Sequence, residues 1–230
     1  LNGCYFEVEE GKMLAVACDS FRLAKCEKLV DIENTGTGTV RHLAYAFIIP
    51  NKSIGELQRI LQDGDDKKVK VFVTHRNIIF NLGDMIFFTR VVDGYYIDYE
   101  KVIVKNHKIF VDVDREELLS ALERACLITE ERIVGMVRAN VKLDISGGLL
   151  KILANSSAGS TYDEIEVAHE GEDLFIAFNN KYLIDCVRAC GGDSIKISLS
   201  SAHASINVVP VEKDESINEE YMLLPVRLNN

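Results

Sequence analysis

Three stretches of this chain place apolar residues at helical spacing, and each is followed by strands in which apolar and polar residues alternate. The helical stretches are residues 51–62 (NKSIGELQRILQ), 114–128 (DREELLSALERACLI) and 179–190 (NNKYLIDCVRAC). Each opens on Asn or Asp, a side chain that caps a helix by accepting a backbone N–H. The alternating runs are Val69, Val71, Val73; then Val137, Ala139, Val141, Leu143, Ile145; then Ile195, Ile197, Leu199. A period of two puts such residues on one buried face of a strand. The unit recurs roughly every sixty residues, too long for a short solenoid repeat, and suits an internally duplicated α+β domain.

Strand patterns also cover residues 3–9, 13–18, 22–29 and 44–49, with Pro50 opening the first helix. Residues 68–74 and 77–82 read as a hairpin around His75 and Arg76, followed by a strand at 85–92. Residues 100–108 (EKVIVKNHK) have mixed charge and little periodicity, so the domain junction is placed there, giving domains 1–108 and 109–230. In the second domain Asp114, with Glu117 three residues later, resembles a capping box. Its helix buries Leu118, Leu119, Leu122, Ala125 and Cys126 and leaves Glu116, Glu117, Ser120, Glu123 and Arg124 outside. Strands at 138–145, 149–155, 163–169 and 174–178, the third helix and three further strands complete it. The second half thus holds two helix-and-strand units and the first half one unit and the tail of another. Since Leu1 opens on a strand with no helix before it, the pattern predicts a first domain truncated at its N-terminus.

With 230 residues and 47% hydrophobic content, the chain has material for one large core or two ordinary ones. No apolar run approaches the roughly 20 residues that span a bilayer. The six cysteines, Cys4, Cys18, Cys26, Cys126, Cys186 and Cys190, lack both paired zinc-site spacing and the density of a disulfide scaffold. They read as buried small hydrophobes in a cytoplasmic protein, and no metal or cofactor is expected. A net charge of −10 argues against a surface that grips nucleic acid everywhere, although it leaves room for a local basic lining. The five histidines are scattered, with no H-x-x-x-H or G-x-S-x-G spacing. Asp65/Asp66, Asp163/Glu164 and Glu219/Glu220 sit in charge-rich turns or strand ends and read as solvated. The GTGT of residues 36–39 has no Lys-Ser/Thr pair or helix behind it and does not make a phosphate cradle. Nothing here marks an enzyme.

Two stretches carry more than scaffold chemistry. Residues 18–23 (CDSFRL) join two strands through a tight connection that brings together an aromatic, an arginine and a leucine. Residues 221–228 (YMLLPVRL) are apolar on both faces and broken by a proline. Both read equally as a hairpin and an edge strand, yet an exposed apolar terminal strand is also a way to build a peptide groove.

At these residues the chain resembles the bacterial sliding clamp, the beta subunit of DNA polymerase III. LNGCYFEVEEGKMLAVACDSFRLA is similar to the opening of that family's middle domain, VDGYYIDYEKVI to its end, FNNKYLIDCV to the last pore helix and YMLLPVRL to the C-terminal end. The resemblance implies duplicated DNA-clamp domains, each with two helices packed on antiparallel sheets, the N-terminal domain being absent. It implies a non-catalytic processivity factor of the bacterial cytoplasm, a head-to-tail homodimer that encircles duplex DNA without reading sequence. The partners it implies are the polymerase alpha subunit, the clamp loader and repair proteins, bound through short linear motifs.

The implied partner pocket lies between the middle and last domains. Leu1, Gly3, Cys18, Ser20, Phe21, Arg22 and Leu23 match one wall. Ile97, Lys101 and Val102 match its base, and Met222, Leu224, Pro225, Val226 and Arg227 the other wall. Cys18 stands where threonine is frequent, Phe21 where histidine is, Ile97 where proline is and Lys101 where arginine is, which changes the polar rim. Helices that face DNA fit the pairs Lys52/Arg59 and Lys181/Arg188, each seven apart on a polar helix face. Lys52, Asn179 and Tyr182 match positions that approach DNA, Asn179 being equally a helix cap. Leu127 and Ile128 match the dimer interface. Two other classes stand beside this one: an acidic two-domain α+β enzyme with a site at the domain junction, around Asp19 and Arg22, and a purely structural oligomeric scaffold.

Overall fold

The computed structural model describes residues 3–35, 44–61, 68–129, 140–157 and 159–227. Leu1, the GTGT stretch and the first part of the alternating run at 137–145 lie outside them. The chain divides into two compact units: Leu1–Asp19 with Lys25–Asp98, and Ser20–Ala24 with Tyr99–Asn230. The division falls ahead of residues 100–108, which sequence gave to the first domain. Those residues are held by the second unit, where Val104 O accepts from the buried Asn207 amide (3.0 Å) and Lys108 N–H donates to Leu199 O (2.9 Å).

In the second unit β8 (Ile109–Asp114) leads into α3 (Arg115–Thr129), then β9 (Asn140–Ser146), β10 (Leu149–Ser156), β11 (Gly159–Glu166), β12 (Ala168–Glu170) and β13 (Leu174–Asn179). α4 (Asn180–Ala189) and the strands β14 (Ser194–Leu199), β15 (Ile206–Pro210) and β16 (Ile217–Leu223) follow. One antiparallel sheet has the order β11-β10-β9-β13, and the other the run β12-β8-β14-β15-β16. The first unit contains β1 (Gly3–Glu9), β2 (Lys12–Cys18), most of β3 (Arg22–Leu29) and β4 (Ala44–Pro50), in the spatial order β3-β2-β1-β4. It continues through α1 (Asn51–Ile60) to the meander β5 (Lys70–Val73), β6 (Asn77–Asn81) and β7 (Ile86–Arg90). A four-stranded sheet, a helix and three strands therefore recur in one order, which is the duplication in structural form.

Two of the three helix caps form as the sequence suggests. Asp114 Oδ1 accepts from Glu117 N–H (2.8 Å) ahead of α3, and Asn179 Oδ1 from Tyr182 N–H (3.3 Å) ahead of α4. At α1 the residue before the helix is Pro50, without a side-chain cap, so Asn51 is inside the helix. A proline (φ −56°) sets the backbone for helix entry without one.

The second unit's core joins Leu118, Leu122 and Ala125 of α3 and Leu183 and Val187 of α4 to Val141, Leu143, Ile145, Leu150, Ile152 and Phe178 from the sheet. Asn180 is buried between the helices, and its amide donates to Leu122 O (2.9 Å), fixing α4 against α3. At Gly171, φ is +106° and an added Cβ would lie 2.5 Å from Lys108 O, so both conformation and space require glycine. The expected alternation holds where a second layer covers the sheet: Ile195, Ile197 and Leu199 of β14 are all buried. It fails in β5, where Val71 and Phe72 are both exposed. β14 lies between β8 and β15, whereas β5 pairs only with β6 among the described residues. The short helix α2 (Tyr99–Val102) has no signal in the periodicity.

Candidate functional site

The turn after β2 and the chain end meet in the second unit, which includes residues 20–24. Leu23 is buried, whereas Phe21 next to it is exposed. Arg22 reaches α4, its Nη1 donating to Asp185 Oδ2 at 2.7 Å while its guanidinium carbon lies 4.3 Å from the Tyr182 ring centroid. The Phe21 ring sits 6.0 Å from that same ring at an interplanar angle of 33°. The ion pair is half-exposed, so each contact contributes roughly 1 kcal/mol or less to stability. Their effect is to orient: a side chain with several rotatable bonds is tied at its tip and along its face.

β16 ends at Leu223 because Pro225 has no N–H to extend a ladder. Leu224 N–H donates to Phe21 O (2.8 Å) and Val226 N–H to Ala177 O (2.8 Å). The terminal segment is thus tied to the 20–24 turn and to β13, rather than forming the open edge strand that its sequence suggested. Met222 is buried beneath it, Pro225 and Val226 are half-buried, and Leu224 and Arg227 are exposed. Phe21, Leu224, Pro225, Val226 and the half-buried Tyr182 make this end of the second unit apolar. On α2, Lys101 is exposed and Val102 half-buried.

Three expected pocket residues belong to the first unit. Gly3 has a packing reason of its own: a Cβ there would lie 2.6 Å from both Ile48 Cγ2 and Ile49 O of β4. The Cys18 thiol is raised above its usual range by burial and then by Asp19, and donates to Asp19 O (3.1 Å). Ile97 is exposed. Ser20 is exposed in the second unit, while Leu1 lies outside the described residues. Behind β1, Tyr96 stacks on Tyr5 (5.3 Å) and donates to Val16 O (3.1 Å), with desolvation pushing its hydroxyl up to about 12.

The residues expected to face DNA divide by role. Lys52 and Lys181 are exposed. Arg59 pairs with Glu56 (3.1 Å) and Arg188 with Glu123 of α3 (2.8 Å), so both arginines carry an acidic partner. Asn179 caps α4, and Tyr182 is in the aromatic cluster with Phe21 and Arg22. At the proposed dimer interface Leu127 is 81% exposed and Ile128 half-buried, on the last turn of α3. Sequence reading missed Asp185. Tyr182 and Asp185 are three apart on one helix face, but their link to Arg22 spans 163 residues and leaves no local signal.

The thiols of α4 stay protonated: burial pushes Cys186 strongly upward and Cys190 to about 12. Among the described residues there is no group of three His, Cys, Asp or Glu side chains placed to hold a metal, and no helix is long and apolar enough to cross a membrane.

Family models for the central and C-terminal domains of the DNA polymerase III beta subunit match residues 1–98 and 100–227. The beta sliding clamps of Pseudomonas aeruginosa and Proteus mirabilis are 32% and 31% identical over 229 residues, 99% of this chain. The chain spans 58% of the length of each. The solved sliding clamp of Bacillus subtilis superposes with a TM-score of 0.86 at 31% identity, covering 99% of this chain and 57% of that one. The Thermotoga maritima beta subunit gives 0.82 at 29%, covering 100% and 58%. With both domain models matched in sequence order and the duplicated clamp fold beneath them, the chain belongs to the DNA polymerase III beta subunit family of sliding clamps.

Proposed function

We propose that the chain is the central and C-terminal part of a processivity factor. Two copies of the full-length protein form a ring around duplex DNA, which tethers polymerase, clamp loader and repair proteins in the cytoplasm. The domains follow the family models, central then C-terminal. The ring works by holding its partners, without turnover or cofactor. The observation that carries the reading is the match of both domain models, and the apolar surface at Phe21, Tyr182 and Leu224 to Val226 supplies its partner contact. A linear motif with one polar anchor and two or three large apolar side chains fits that surface, with the residues of α2, Cys18 and Ile97 completing the pocket as the family arranges it.

Lys52 and Lys181 hold duplex DNA through phosphates, and the acid-paired Arg59 and Arg188 add less. So few contacts in a chain of net charge −10 are screened at physiological salt, and retention is topological. In a chain of the relatives' full length, Lys52→Glu with Lys181→Glu is expected to shorten residence on circular DNA severalfold and leave peptide affinity unchanged. Residence is read by gel filtration of loaded plasmid. A tight, sequence-selective footprint of the unaltered chain on linear DNA would refute the reading.

Leu127 and Ile128 form half of the head-to-tail interface, since an apolar residue as exposed as Leu127 is stabilised when a partner covers it. Replacing both with lysine in the full-length protein is expected to give monomers by light scattering with the melting profile of each domain retained. An unchanged dimer places the interface elsewhere.

A further inference from the structure

We infer that Asp185 sets the specificity of the partner site by masking the charge of Arg22. The inference rests on the peptide-binding reading above. An arginine beside an apolar peptide surface is ordinarily a receptor for carboxylates, because its fork of N–H donors and fixed charge match them. Here the guanidinium is already engaged. Nη1 donates to Asp185 Oδ2 at 2.7 Å, and the group lies over Tyr182 at 4.3 Å. Both anchors come from α4, Tyr182 and Asp185 being three residues apart and so on one side of the helix. α4 is held in turn by the Asn179 cap and by the buried Asn180 amide on Leu122 O. The carboxylate is therefore presented from a rigid element rather than a loop.

Two consequences follow for a bound peptide. The aliphatic stem and one face of Arg22 act as an apolar wall beside Phe21, while the positive charge is spent inside the protein. A peptide carboxylate brought to this wall meets a guanidinium whose charge is already compensated and an aspartate that repels it. The site thus selects neutral apolar motifs over acidic ones and binds them with little dependence on salt. Asp185 is a positioning residue, acting on the peptide through Arg22.

The test uses the complete chain and two capped peptides. One is neutral, with a polar anchor and three large apolar side chains, and its twins carry glutamate at each polar position in turn. Affinities are measured by titration calorimetry at about 50 mM and 500 mM salt, spanning strong and weak screening. In Asp185→Asn the neutral peptide is expected to bind within about threefold of the unaltered protein. At least one acidic twin gains on the order of tenfold at low salt and loses the gain at high salt, as an unmasked charge pair does. The gain disappears in the double variant Arg22→Gln/Asp185→Asn, and Asp185→Glu keeps the original preference. A merely structural role moves neutral and acidic peptides together, and such a parallel shift, or no shift at all, overturns the inference. Failure of the unaltered protein to bind the neutral peptide overturns the partner-site reading instead.

Discussion

A chain ended at Leu223 is expected to lose measurable binding of a short apolar peptide. The fall is a hundredfold or more from the micromolar affinity, about −8 kcal/mol, that such a motif reaches. The removed segment carries Leu224, Pro225 and Val226, and with them the hydrogen bonds from Leu224 to Phe21 O and from Val226 to Ala177 O. Each large side chain that a peptide buries contributes roughly 1.5–3 kcal/mol before ordering costs, which take back much of the sum. Losing the contacts of two such side chains is then enough to carry the affinity beyond reach. Folding is spared, because Met222 and Leu223, the buried residues of that end, remain. Arg22→Ala keeps the terminal segment but removes the stem and the cover over Tyr182, and is expected to weaken binding about tenfold, a loss near 1.4 kcal/mol. Titration calorimetry with one capped peptide separates the three proteins. Equal affinity in all of them places the site elsewhere.

The architecture was legible wherever the chain obeys one period at a time. The alternating valines and isoleucines of β9 and β14 and the helical spacing of α3 and α4 mark elements whose buried face points into one core. The hairpin at His75 and Arg76 is where the turn pattern put it, between β5 and β6. Legibility ended where burial depends on what covers a strand: Val71 has the same pattern as Ile197, yet it is exposed because β5 has a neighbour on one side only among the described residues. α2 is one turn long, too short for a period of 3.6 to register.

At the site, residue types pointed to the right stretches and not to their connections. Phe21, Arg22 and the chain end stood out as chemistry beyond scaffold, and the structure joins them in one unit. No spacing rule links Arg22 to Asp185 or Leu224 to Phe21, since both contacts are made by the fold. The same limit explains Tyr182, which a helix wheel places on the polar face of α4 with Lys181, but which Arg22 and Phe21 cover in the structure. It also explains the arginines: Glu123 belongs to a different helix from Arg188, so compensation of that charge is invisible along either sequence.

The site's rigidity depends on a residue that never touches it. Phe178 of β13 is fully buried, in the cluster with α3 and α4, and its neighbours on either side in the chain are Ala177, whose carbonyl holds Val226, and Asn179, which caps α4. Phe178→Ala is expected to cost about 3–5 kcal/mol, the lost transfer free energy plus the cavity that packed neighbours cannot fill. For a chain of this size that lowers the melting midpoint on the order of 10 °C. The exposed Phe175, three residues earlier on the same strand, provides the control: its replacement by alanine is expected to change stability by about 0.5 kcal/mol or less. Because the cavity opens beneath the segment that carries Ala177 and Asn179, Phe178→Ala is also expected to weaken peptide binding below its melting transition, while Phe175→Ala leaves it unchanged. Thermal melts and calorimetry on the same samples distinguish the two effects. Equal melting points for the two variants contradict the placement of Phe178 in the core, and lowered stability with intact affinity shows that the site is held by α4 and the terminal hydrogen bonds without β13.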